Sequence, residues 1–241
     1  MTPLYQNRGG YRHLDSFMLA TIIYYATVEF CRAHITSARQ HEQMTQAARS
    51  GRQNIAEGSE RSATSRETEI KLTDVARASL AELQLDYEDY INLSGNTPWP
   101  DDAPESVELW HLRLARLPPN ESSAHHFSKA VAENRAMFAK WLNPAEPLRM
   151  ANALVRLCER ADLLLRKQID GITQRFLEEG GFRENLTRAR VEVRDAQNPV
   201  CPQCGKPMQK RKAKAGPHAG KEFWGCTGYA EGCRGTREVE G

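Results

Sequence analysis

The chain has 241 residues, 40% of them hydrophobic, with 33 Lys/Arg against 31 Asp/Glu and a formal net charge of +2. That length holds one large domain or one domain plus a small module, and so balanced a charge excludes a protein that grips its partner by bulk positive charge alone. The charge is nevertheless uneven: residues 200–241 carry eight Lys/Arg and four Asp/Glu, the remainder twenty-five and twenty-seven, so positive charge gathers in the tail.

In chain order, Leu14, Met18, Ile22, Tyr25 and Val28 recur at three- and four-residue steps, which predicts an amphipathic helix over about 13–38. Phe17 to Phe30 is fairly apolar, but Thr21, Thr27 and Glu29 interrupt it and it is too short to span a bilayer. No basic-then-apolar stretch with a small-residue cleavage site precedes it. The expectation is a protein without a secretory leader or membrane segment, in a reducing, cytoplasmic setting. A second helix is predicted over about 41–55, with Gly58 closing it in the left-handed conformation. The run Thr64-Ser-Arg-Glu67 has the capping-box pattern that opens a third helix. Its seam, Ile70, Thr73, Ala76, Leu80, Leu83, Tyr87 and Tyr90, alternates steps of three and four, the period of helices packed at shallow angles.

A Pro-rich break over 95–104 follows. Two shorter helices are expected over about 105–117 and 127–142, divided by Pro118-Pro119, and Asn143-Pro144 breaks the chain again. The last long helix starts near Pro147, carries Leu154, Cys158, Ala161, Leu165, Ile169, Ile172 and Phe176 as its stripe, and ends at Gly180-Gly181. Residues 181–199 are polar and charged and read as a connector, with a helical extension as one form of it. The fold expected is all-α: an antiparallel four-helix bundle over 1–180 with a helical insert at about 95–146, joined to a small β module at 200–241.

That module contains the pattern with the most chemistry. Cys201-Pro-Gln-Cys204 is followed after twenty-one residues by Cys226 and after six more by Cys233. Two thiol pairs, the first across a tight turn, suit tetrahedral zinc. In a reducing compartment metal binding is favoured over disulfides. Cys31 and Cys158 lie in helical patterns away from this group. Four sulfur ligands leave zinc no open position, so the ion's expected task is to fold a segment too short to bury a core. Around the cysteines stand Lys206, Lys210, Arg211, Lys212, Lys214, Lys221 and Arg234, with Phe223, Trp224 and Tyr229. Cations interleaved with aromatic rings suit phosphates and stacked bases. Arg211 and the lysines are expected to hold the backbone, and Trp224 and Tyr229 to offer stacking faces; the competing reading is a solvated surface over a small apolar cluster.

In the helical part, Arg49, Arg52, Arg61 and Arg66 are expected to gather at the turn between the second and third helices. There they either bind nucleic acid or pair with Glu57, Glu60 and Glu67. Asn54 is expected to cap or cross-link helices. His34, His111, His125 and His126 are scattered without a nucleophile or carboxylate pattern, and no phosphate-cradling Gly loop is present. The chain is therefore not expected to be an enzyme.

Two stretches carry family resemblances. Gln46 to Ser59, chiefly Asn54-Ile-Ala-Glu-Gly58, followed by a Ser/Arg-rich turn and Ala78-Ser-Leu-Ala-Glu-Leu83, resembles the four-helix-bundle proteins encoded in intervening sequences of bacterial 23S rRNA genes. That family includes the accessory variability determinant of diversity-generating retroelements. Gly51 departs from it, standing where an apolar residue is usual. The segment from Cys201-Pro-Gln-Cys-Gly-Lys-Pro-Met208 through Phe223-Trp-Gly-Cys226 to Cys233-Arg-Gly-Thr236 is similar to the C-terminal zinc ribbons of bacterial type I topoisomerases. Its last ligand spacing is one residue longer, so the final loop is expected to bulge, and Ala230 replaces a common Pro. Together the resemblances imply a ring-like homo-oligomer, a pentamer, with a basic surface. They further imply a reverse transcriptase or other mobile-element enzyme as partner, and single-stranded DNA or RNA as ligand, held by a ribbon folded around Zn2+. The function expected is a non-catalytic accessory protein that binds nucleic acid. The alternative is a protein–protein scaffold whose ribbon serves folding or partner docking.

Overall fold

Ser37 and Ser65 set the first two corners of the helical part. In the computed structural model, which describes residues 10–239 apart from the side chains at 195 and 196, α1 spans Asp15–His34, α2 Ala38–Arg61 and α3 Arg66–Leu93. The first nine residues, on which part of the no-leader expectation falls, and the last two of the tail lie outside the described residues. Ser37 Oγ accepts from the Gln40 N–H at 3.3 Å and Ser65 Oγ from the Thr68 N–H at 3.1 Å, each satisfying an amide that the helix's first turn leaves without a partner. The cap of α3 is therefore Ser65 and not Thr64, whose hydroxyl donates back to the Arg61 carbonyl at 3.3 Å. For the same reason α1 stops at His34, short of the expected 38: Ile35 turns extended and Ser37 already caps the next helix.

The prediction for the end of α2 fails. The helix passes through Gly58 and runs to Arg61, and Gly58 is not left-handed. It is buried at a helix contact, where an added Cβ would lie 3.3 Å from the Glu69 carbonyl oxygen and from Leu72 Cβ. Gly51 faces α3 more tightly still, an added Cβ coming within 2.8 Å of Leu80 Cγ and Cδ2. The missing apolar side chain at 51 is thus the condition for close approach. Gly51→Leu would gain about 1 kcal/mol of helix propensity, yet overpacking should leave a net loss of about 1–3 kcal/mol. A denaturant midpoint unchanged from that of the exposed-site control Gln53→Ala would contradict this contact.

α6 spans Pro147–Glu179, with Pro147 at a first-turn position that needs no N–H and Gly180 at φ 71 ending it. α1 packs on α2 and α6, and α3 packs on the same two helices. The ties run in opposite chain directions. Ser16 bonds Gln168 at 2.8 Å while His34 meets the Pro144 carbonyl at 2.7 Å; Arg66 pairs with Glu179 while Arg77 lies 3.4 Å from Asp162. Neighbouring helices are therefore antiparallel. α1 is buried on consecutive positions from Ser16 to Ile23, because α2, α6 and the insert's helix over Ala124–Phe138 all pack on it. That explains its apolar run without a bilayer. No helix among the described residues is long and apolar enough to cross a membrane.

The seam of α3 holds at Thr73, Ala76, Leu80, Leu83 and Tyr87, but its buried ends are Glu69 and Ile91 in place of Ile70 and Tyr90. A straight helix turns every 3.6 residues, so a strict 3.5 repeat drifts off the contact line at both ends. In α6 the expected stripe is buried at Leu154, Cys158, Ala161, Leu165 and Ile172, whereas Ile169 is half-buried and Phe176 is 37% exposed. The buried Tyr87 hydroxyl donates to Thr27 Oγ1 at 2.9 Å, and Thr27 donates to the Ile23 carbonyl at 2.8 Å, so this polar pair is satisfied inside the core. Burial, with Asp86 adding to it, pushes the Cys31 thiol up to about 12, and burial raises that of Cys158 as well. Both are packing residues with little thiolate character.

Within the insert, α4 spans Pro104–His111 and α5 spans Ala124–Phe138, both shorter than predicted. α4 stops because α6 and α5 take the backbone that follows. Arg160 donates to the carbonyls of Leu109 (3.0 Å) and Leu112 (2.6 Å). Buried Asn134 accepts from the Ala115 N–H and donates to its carbonyl, both at 2.9 Å. Side-chain partners here replace the intrahelical bonds that residues 112–117 forgo.

The chain divides into two units, Met1–Gly181 and Phe182–Gly241. In the second, the expected connector contains a helix, α7 (Phe182–Ala196). β1 (Met208–Lys212), β2 (Glu222–Cys226) and β3 (Thr236–Glu238) then form an antiparallel sheet in that order. The helical fold with a small C-terminal β element is the one expected.

Candidate metal centre and basic face

Two turns bring four sulfurs together. In the first, the Gly205 N–H donates to the Cys201 carbonyl at 2.9 Å and the Cys201 N–H to the Lys206 carbonyl at 2.8 Å. Gly205, at φ 71, takes the left-handed conformation that lets the chain double back after Cys204. In the second, Cys226 ends β2 and a 3-10 turn over Thr227–Glu231 leads to Cys233. Gly232 at φ 96 takes the left-handed conformation just before Cys233, and the Cys233 N–H closes the loop on the Gly228 carbonyl at 3.1 Å.

All four Sγ atoms lie within 4.8 Å of one another, with 3.7 Å between Cys201 and Cys233 and 3.4 Å between Cys204 and Cys226. Sulfurs at about 2.3 Å from one tetrahedral ion stand about 3.8 Å apart, whereas a disulfide needs about 2.05 Å. The spacing therefore fits a shared metal, and every cysteine is a free thiol. The surrounding backbone is shaped to the sulfurs. An added Cβ at Gly235 would run into Cys201 Sγ, and the Gly228 N–H donates to Cys226 Sγ at 3.3 Å. Desolvation raises the Cys201 thiol, but the backbone N–H groups of Gln203 and Cys204, with Cys233 and Cys226 beside it, bring it down to about 7. Among the described residues, Met208 and half-buried Trp224 supply the rest of this cluster's apolar packing. Among the described residues, these four are the group of His, Cys, Asp or Glu side chains that can hold a metal ion.

Strand register sorts the basic residues, which the sequence shows only as a cluster. Lys210 pairs with Trp224 and Lys212 with Glu222, while Arg211 pairs with Phe223. Side chains alternate across a sheet, so Lys210, Lys212 and Trp224 share one face with Arg237, the register partner of Trp224. Arg211 and Phe223 take the other face. Lys210 is 3.3 Å from Glu222, and Lys206 is ion-paired to Glu231. Lys214 and Lys221 are exposed at the hairpin loop. Arg211 lies over Gly225, where an added Cβ would come within 2.9 Å of its Cδ and 3.4 Å of Phe223 Cε2. Its guanidinium is 6.0 Å from the Tyr229 ring, and that of Arg234 stacks over the same ring at 3.8 Å. Arg211, Tyr229 and Arg234 thus stand in a row, with Phe223 and Arg211 both bordering Gly225, while Lys210 lies 6.0 Å from the Trp224 ring. Arg237 was missed by sequence reasoning. So was the part played by Gly225, although a glycine two residues after an aromatic in a short strand was a legible signal of close packing.

The four arginines of the helical unit do not gather as expected. Arg61 and Arg66 flank the Ser62–Ser65 turn, but Arg49 and Arg52 lie higher on α2, about 13–18 Å from Arg61 at 1.5 Å per residue. Arg52 stacks on Tyr24 at 4.2 Å. Arg66, its side chain only 13% exposed, pairs with Glu179 and donates to the carbonyls of Arg175 (2.6 Å) and Gly180 (3.2 Å), closing the C-terminal end of α6. Glu67 pairs with Lys71 at 2.6 Å. Arg49 and Arg61 are exposed. Asn54 donates to Ser50, whose hydroxyl meets that of Ser79 at 3.0 Å, so it cross-links α2 and α3 through a relay.

Compared with family models, curated proteins and solved structures, the chain matches none of them.

Proposed function

We propose that the chain is a non-catalytic accessory protein that binds single-stranded DNA or RNA through a C-terminal zinc ribbon. The observation that carries this reading is the row Arg211–Tyr229–Arg234, with Phe223 bordering Gly225 beside Arg211, set on a sheet whose end is pinned by four converging thiols. Rings offer stacking surfaces to bases of any sequence, and neighbouring guanidiniums meet the phosphates between them. The four-sulfur donor set suits zinc. Bound there, zinc would supply no chemistry beyond holding Cys201, Cys204, Cys226 and Cys233 in place.

The resemblance of α2 and α3 to the bundle family supports two further parts of the proposal. The helical unit assembles as a homopentamer, and its partner is a reverse transcriptase or related mobile-element enzyme. Several ribbons on one assembly would raise affinity through effective concentration without any new contact. Light scattering on the purified protein should then give five times the 27.2 kDa chain mass.

The decisive experiment titrates a fluorescent 15-nucleotide strand with full-length protein between 50 and 200 mM salt. Affinity should fall linearly in log–log form, with a slope of about −0.7 for each phosphate neutralised. Absence of binding at 50 mM salt would overturn the proposal. Salt-insensitive association with a protein partner instead would favour the docking-scaffold alternative.

A further inference from the structure

The stretch expected to be a connector is the helix α7, Phe182–Ala196, and its charges are sorted by face. At about 100° of turn per residue, Arg183, Arg190 and Arg194 fall within about 40° of one another. Phe182, Leu186, Ala189 and Val193 take a second face, centred about 90° round from the first. Arg188 stands about 140° or more from Arg183 and Arg190, on the side that carries Glu184 and Glu192. All four arginines are exposed.

Sorting charge in this way works against the helix. Residues three and four apart are neighbours on a helix surface. Within α7, no such neighbour of Arg183, Arg190 or Arg194 is acidic, and Arg190 and Arg194 are themselves four apart, a like-charge spacing that destabilises. Arg183 adds a cation to the first turn, against the helix dipole. Arg188 has what these lack, Glu184 and Glu192 four residues to either side. The helical unit, in contrast, ties Arg66, Arg77, Arg135, Arg156 and Arg166 to carboxylates. Among the described residues Arg183 and Arg190 make no ion pair.

Such a line gains stability where a polyanion runs along it. From Arg183 to Arg194 is about 16 Å of helix, the length of about five stacked nucleotides. α7 belongs to the same compact unit as the ribbon. Only Gln197 and Asn198 separate its end from Pro199, whose carbonyl accepts from the Met208 N–H at 2.9 Å, and the next residue, Val200, bridges to Pro207. The chain from Arg194 to Pro199 spans at most about 18 Å, so one strand can reach both. An anionic lipid surface is disfavoured, because the apolar face it would bury carries Glu192 on its other flank.

We propose that the Arg183–Arg190–Arg194 line of α7 is a second contact for the single strand held by the ribbon, binding phosphates outside the ribbon and lengthening the bound segment. This inference rests on the ribbon being a strand-binding module.

The experiment repeats the salt titration of the fluorescent 15-nucleotide strand with full-length Arg183→Gln, Arg190→Gln and Arg188→Gln. The first two should each reduce the magnitude of the salt slope by about 0.7 and weaken binding at 50 mM salt by about threefold or more, and the double variant Arg183→Gln/Arg190→Gln by about tenfold or more. Arg188→Gln, an equal change in charge on the opposite side, should leave slope and affinity at the wild-type values. Helix stability cannot imitate this ranking: Arg190→Gln relieves a like-charge pair, whereas Arg188→Gln removes two attractive neighbours, so a loss caused by unwinding would fall on Arg188→Gln. Equal losses in Arg188→Gln and Arg190→Gln would assign binding to overall charge and overturn the proposal. A double variant that binds like wild type while Arg211→Ala weakens binding would overturn this inference alone; a wild-type protein that binds no strand would overturn it together with the ribbon reading. Binding to phosphatidylglycerol vesicles that is lost in the double variant, with strand affinity unchanged, would replace the strand by a lipid surface.

Discussion

Replacing Cys226 with serine should abolish metal binding and unfold the C-terminal unit while the helical unit stays folded. The ribbon has almost nothing else to hold it: its buried cluster consists of Cys201, Met208 and Cys226, with Trp224 and Cys233 packed against them. Zinc contributes about 10–16 kcal/mol in comparable small modules, far more than one buried Met can, at about 1.5–3 kcal/mol. Metal analysis should fall from one ion per chain to none. Amide exchange should lose its protection from Met208 to Glu238, while helical circular dichroism keeps the signal of α1, α2, α3 and α6. Cys31→Ala removes a thiol from the other unit and should leave metal content unchanged. A Cys226→Ser ribbon that kept its exchange protection would show that the sulfurs do not organise the fold.

Arg211→Ala should cost more strand affinity than the loss of any single lysine in the tail. Arg211 stands beside Tyr229 and, with Phe223, borders Gly225, so its removal takes away a phosphate contact next to two rings. Tyr229, 55% exposed and braced by Arg234, offers the largest stacking surface of the row. Each stacked base is worth about 1–3 kcal/mol, so Tyr229→Ala should weaken binding by about 5- to 150-fold. Arg211→Ala should do the same and also reduce the magnitude of the salt slope by about 0.7. Lys206→Ala should change affinity little, because Glu231 already partners that ammonium. If Lys206→Ala and Arg211→Ala weakened binding equally, with equal changes in salt slope, binding would be a matter of overall charge and not of this face.

Both expectations turn on placement that composition could not supply. Of the ten tail residues singled out as strand contacts, the β1–β2 register splits Lys210, Arg211, Lys212, Phe223 and Trp224 between two faces, and ion pairs engage Lys206 and Lys210. Arg66 reads as a surface cation beside a turn, yet it closes the end of a helix more than a hundred residues later. Asn134 and Arg160 stop α4 early from separate elements. Nothing within α4 announces it, since hydrogen bonds from distant side chains leave no local pattern.

The sequence by itself determined the helical periods of α1, α3 and α6, the Pro and Gly breaks around them, and the two thiol pairs with metal-ligand spacing. These follow from rules that act over a few residues: apolar recurrence, restricted φ at proline, and the reach of two thiols across a turn. Only the tertiary structure decided that Gly58 serves helix contact rather than helix ending, that Gly51 lets α2 approach α3, that Arg211 and not Lys210 joins Tyr229, and that Arg156 and Glu159 line a common cavity. Each of these depends on which atoms meet across elements far apart in the chain. Steric fit and desolvation act on distance in space, and separation along the sequence does not encode it.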